Sequence, residues 1–159
     1  MRLTISLFLA LTATPAAAQQ AHDLVLADLG RWAVFADLES VVRDGETAEM
    51  RALQVAEEGF HVGEVAYWGG WSRWRFDCSA RTADRLDFAS VREGGDEAAA
   101  WPDAAPPYDA APGGEAAALL DRACARPRWA EDGVDSVAEA VRLGRHALEG
   151  GQGPGDSPD

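Results

Sequence analysis

Two cysteines, Cys78 and Cys124, lie downstream of an N-terminal stretch with the form of an export signal. That combination constrains the fold more than any other feature of the chain. In a reducing compartment two thiols say little. In an oxidising one they read as a single disulfide, which would tie the middle of the chain to its C-terminal third. Closing a loop of that length is worth about 4 kcal/mol in chain entropy. Two free buried thiols or a metal pair are the other readings. A two-cysteine metal site wants histidine at short spacing, and neither His61 nor His146 supplies it. No metal or cofactor is therefore expected.

The signal has a short basic start (Met1-Arg2), an apolar run from Leu3 to Leu11 and an A-x-A site at Ala16-Ala17-Ala18. The run is shorter than the ~20 residues a spanning helix needs, and Pro15 helps to end it. The expected organisation is a signal peptide over residues 1–18, an α+β domain over 19–127, a helical extension over 128–149 and a disordered tail over 150–159. No later run approaches spanning length, so no membrane insertion is expected after cleavage. The expected compartment is the periplasm or the cell exterior.

All 14 basic residues are arginine, set against 27 acidic ones, for a net charge of −13. Removing the signal takes away Arg2 and no acid, so the remainder is one charge more negative. This disfavours nucleic acid and anionic membrane surfaces as partners. It fits a solvated acidic surface and a protein partner.

Hydrophobic patterning predicts a mostly antiparallel sheet. Trp32–Asp37 (WAVFAD) reads as a strand. Asp44-Gly45 signals a hairpin of type I′. Thr47–Val55 alternates with period two, although its residues are also good helix formers. Ala56–Gly70 reads mostly as a loop. In Trp71–Cys78 (WSRWRFDC), Trp74, Phe76 and Cys78 point one way, and Arg73, Arg75 and Asp77 the other. After a tight turn at Ser79-Ala80, Arg81–Arg92 returns antiparallel, with Leu86 and Phe88 on one face and Arg85 and Asp87 on the opposite one. Arg73 or Arg75 is then expected to meet Asp87 or Asp84. Gly94–Gly114, with four prolines, reads as a loop that Trp101-Pro102 anchors to the body. Glu115–Cys124 (EAAALLDRAC) predicts a helix with Ala117, Leu120 and Cys124 on one face, which brings Cys124 within reach of a strand cysteine. Ser136-Val-Ala-Glu139 has capping-box spacing and opens a second helix over 136–148, with Val137, Val141, Gly144 and Leu148 as its stripe.

The ordered set of these residues resembles the surface-adhesin protein E family. It comprises Trp32 to Asp37, Ser40-Val41-Val42-Arg43-Asp44-Gly45, Phe76-Asp77-Cys78 and the strand from Arg81. Trp101-Pro102, Pro112-Gly113 and the Glu115, Ala118, Leu119, Leu120, Cys124 helix complete it, across about residues 30–125. The resemblance implies an antiparallel sheet with a C-terminal helix laid on its concave face and tethered through Cys78 and Cys124. It also implies dimer formation and adhesion to matrix proteins. The chain departs from the pattern in having no lipid-accepting cysteine after the signal, no lysine and a segment beyond the family region at 126–159. Neither surface anchoring nor a basic host-binding segment is carried over.

Three functions are compatible with these residues. The first is a non-catalytic protein-binding module of the envelope, with Trp68, Trp71, Arg73 and Arg75 as contact candidates because aromatics and arginines interleave there as they do in interfaces. The second is a structural protein that pairs with itself as a homodimer or with an outer-membrane partner through an open sheet edge. The third is a small periplasmic hydrolase. No G-x-S-x-G, H-E-x-x-H or P-loop motif occurs. His22 is expected to be mobile near the mature N-terminus, His61 falls in a loop and His146 late in a marginal helix. No catalytic residue is assigned.

Overall fold

A computed structural model describes residues 21–125 and 133–151; the expected signal peptide and most of the expected tail lie outside them. The described residues form an α+β fold around one antiparallel sheet of eight strands. The strands are β1 (Leu24–Leu29), β2 (Ala33–Asp44), β3 (Thr47–Val55), β4 (His61–Val62), β5 (Val65–Asp77), β6 (Thr82–Arg92), β7 (Trp101–Pro102) and β8 (Tyr108–Asp109). Their order is β1-β2-β3-β5-β6-β7, with β4 paired to β5 and β8 to β6. Two helices follow, α1 (Glu115–Cys124) and α2 (Val137–Gly151).

The helices cover opposite faces of the sheet. On one side α1 buries Leu119, Leu120 and Ala123 against Val34, Ala36, Leu38, Met50, Trp74 and Phe76. On the other side α2 lays Ala140, Val141 and Leu148 on Ala33, Phe35, Leu53, Val55 and Trp71. Coverage of both faces explains why successive residues of β2, from Ala33 to Leu38, are all buried. A strand with one wet face would alternate instead.

The disulfide forms between Cys78, just beyond β5, and Cys124, the last residue of α1, with Cα atoms 5.7 Å apart. Arg43 of β2 reinforces the junction. Its guanidinium donates to the carbonyls of Ala123 (2.7 Å) and Ala125 (2.5 Å), satisfying acceptors that a helix end otherwise leaves open.

Several expectations need correction. β1 was not foreseen. The segment expected as a loop over 56–70 holds β4 and the beginning of the 13-residue strand β5. The hairpin loop is Gly45-Glu46, since Asp44 pairs with Thr47. Only Gly45 has positive φ there (59°), the glycine-first pattern of a II′ turn rather than I′. A bulge in β6 leaves Leu86 without a partner, so Arg85 pairs with Trp74 and Asp87 with Arg73. Those two charges therefore lie on opposite faces. Trp101 pairs with Phe88 through its backbone, but its side chain is 73% exposed, so the ring pins nothing. The helix expected over 136–148 continues to Gly151. Among the described residues no helix is long and apolar enough to cross a membrane.

Candidate functional site

The four contact candidates stand on the same side of β5 as α2, in graded environments. Trp68 is half-buried and packs against the α2 cluster. It closes a shallow cleft with Val141, Arg142, Arg145 and His146 of α2. Trp71 is only 4% exposed and so is removed from contact. Arg73 and Arg75, one and two alternations further along, are about half exposed, at 54% and 51%.

Register builds this face row by row. Phe35, Leu53, Trp71 and Ala89 form an apolar row beneath or beside α2. The next row is Asp37, Arg51, Arg73 and Asp87, and the one beyond holds Glu49, Arg75 and Asp84. Beyond Trp71 the sheet surface therefore turns from apolar to charged. Arg73 binds Asp87 at 3.0 Å, as expected. Arg75 lies between Glu49 and Asp84 in its row and pairs with Glu49 at 2.9 Å. Arg51 and Arg73 are directly opposite like charges, an unfavourable pair on a strand. Arg51 avoids Arg73 by stacking on the Trp71 ring at 4.3 Å and pairing with Glu97 at 3.1 Å.

His22 is the residue that sequence reasoning misplaced. It is held, not mobile. Its Nδ1 lies 2.8 Å from Oδ2 of the fully buried Asp37, and its ring stacks on Trp71 at 5.3 Å. Asp37 also accepts from the Asp23 amide at 3.3 Å. It sits where the β2–β3 register breaks. There the Ser40 hydroxyl donates to the Asp37 carbonyl and accepts from the Arg51 amide, replacing the ladder bond that the irregularity removes. The partners of His22 are thus Asp37 and Trp71, and the Ser40 hydroxyl is engaged by backbone. A lone histidine close to the expected cleavage site has no spacing signal that would have revealed this role.

The other histidines lie elsewhere. His61 is exposed on β4 and hydrogen-bonds the Gly59 carbonyl. His146 is exposed on α2. Among the described residues no group of three or more His, Cys, Asp or Glu side chains is placed to hold a metal.

Two carboxyls have environments of note. Asp77 caps the β5–β6 turn, accepting from the Ala80 and Ser79 amides and the Ser79 hydroxyl. Those bonds hold its pKa below the ordinary value. Glu115 at the start of α1 is pushed up by burial, against a 2.7 Å hydrogen bond from Gln54 that favours its charge.

No family model matches the chain, and no curated protein or solved structure matches it either.

Proposed function

We propose that the chain is an exported, non-catalytic envelope module that recognises another protein through the charged rows of its sheet face beyond α2. The carrying observation is the placement of Arg73 and Arg75 side by side, half exposed, on sheet surface that neither helix buries. Their ion pairs with Asp87 and Glu49 are exposed, so each contributes at most about 1 kcal/mol to stability. Such pairs exchange partners at little cost. A mosaic of both signs gives specificity and orientation to an incoming polypeptide, and arginine is favoured at such interfaces. The rigid sheet fixes the spacing of the charges before any partner arrives. The resemblance to the surface-adhesin protein E family supports the same reading, as does the disulfide, which suits an oxidising compartment.

The test is capture by the mature, oxidised protein from envelope extract and, separately, from matrix proteins. A protein retained by the wild type is expected to fall at least tenfold with Arg73→Ala/Arg75→Ala, while Tm stays put. Retention that survives the double substitution would reject this face. Loss of both retention and Tm would assign the arginines to stability instead.

A further inference from the structure

On the opposite side of the sheet, where Gln54 meets the first residue of α1, lies a cavity of about 320 Å³. Its lining carries no carboxylate, guanidinium or imidazole, in a chain of which 26% is charged. Four aromatic rings from separate parts of the chain form its walls: Trp32, Phe60, Tyr67 and Phe88. Trp32 and Phe60 meet edge to face, with centroids 5.2 Å apart. The polar groups are the amide of Gln54 and the hydroxyls of Ser90 and Tyr67.

The glycine pair in β5 makes this arrangement possible. A Cβ on Gly70 would lie 2.2 Å from Phe88 Cζ, and one on Gly69, at φ +149°, 1.8 Å from the Gln54 carbonyl. Glycine at position 70 leaves the space that the Phe88 ring occupies. Aromatic groups gathered around a bare backbone floor, with a few convergent hydrogen-bonding groups, are the usual composition of a small-molecule pocket, and this volume lies at the lower end of that class.

We infer that this cavity binds a small, uncharged aromatic compound bearing one hydrogen-bonding substituent. The ring enters among the four aromatics, where offset and edge contacts add to burial. The substituent meets Gln54 or Ser90. Charged ligands are refused because nothing in the lining would compensate their lost hydration. The site is independent of the arginine face, so failure of one leaves the other standing.

The probe is N-phenyl-1-naphthylamine, titrated by fluorescence into the mature, oxidised protein. Saturable uptake at one per chain is expected. Ser90→Phe, which fills the cavity, should abolish it. Val62→Glu places a charge on a rim residue that is 61% exposed and should weaken uptake at least tenfold without moving Tm. Val42→Glu, on another exposed valine that does not line the cavity, should change nothing. The sulfonated analogue 8-anilinonaphthalene-1-sulfonate should bind at least tenfold more weakly. Absent uptake, uptake unaffected by both Ser90→Phe and Val62→Glu, or equal affinity for the sulfonate would overturn the inference. A tryptophan-bearing peptide that enters where the naphthylamine fails would give the cavity to a protein side chain and overturn it equally.

Discussion

Asp37 is a fully buried carboxylate whose side-chain partners are His22 and the Asp23 amide. His22→Ala would leave an acceptor unmatched in the interior and uncover Trp71. The expected cost is about 1–3 kcal/mol, read as a lower urea midpoint; an unchanged midpoint would show that this segment contributes nothing. Glu115 makes a second residue-level prediction. Burial raises its folded pKa, so the fold binds that proton more tightly than the unfolded chain does. Stability attributable to this group therefore falls as pH climbs from the ordinary carboxylate value through the folded one. Glu115→Gln keeps an oxygen for Gln54 and removes the titration. Its gain over wild type should be larger at pH 7 than at pH 4 in paired urea titrations, and an equal difference at both would refute the assignment. The sequence placed Asp37 at the end of a strand and Glu115 at the start of a helix, but burial and partner are products of the tertiary fold, which no local pattern reports.

Helix α1 is joined to the sheet by covalent and polar contacts at its C-terminal end, through Cys124 and Arg43. Reduction, or Cys78→Ser/Cys124→Ser, opens a loop with a sequence separation of 46 and should lower stability by up to about 4 kcal/mol, measured by denaturant titration with and without reductant. Helix α2 relies on close approach instead. A Cβ at Gly144 would sit 3.0 Å from Phe35 and 3.1 Å from Ala33 and Val55. Gly144→Val should overpack this contact and cost about 1–3 kcal/mol, despite valine's better helix propensity. Both helices were legible because their apolar residues repeat at helical spacing, and β3 matched its strand reading over Thr47–Val55, with burial alternating as far as Ala52 before both faces are covered. β1 was not legible because it is short and apolar on both sides, with Leu24 and Val25 in different clusters. The start of β5 was hidden by glycines that read as loop while serving a bulge and the Phe88 contact. The β6 bulge could not be read from alternation, since a single unpaired residue reverses faces without changing composition.

For the whole molecule, the decisive arrangement is a sheet buried on both sides near β1–β3 and left as charged surface toward the ends of β3, β5 and β6. The cysteine pair and the helix at Glu115–Cys124 anticipated one covered face. Nothing local said that the second helix would cover the other, although the unbroken burial of Ala33–Leu38 is its trace in β2. The same topology places the arginine-bearing face and the aromatic cavity on opposite sides of the sheet, so the two proposed sites do not overlap. Sequence placed Arg73 and Arg75 correctly at the surface. It left Trp71 partly available because strand alternation cannot foresee the stacking of His22 and Arg51 over it. Amide hydrogen exchange of the oxidised protein, alone and with its captured partner, tests the proposed face most directly. Added protection is expected in Arg73–Arg75 of β5 and in Thr47–Arg51 of β3. Protection confined to α1 or to the aromatic cavity, with β5 and β3 unchanged, would contradict it.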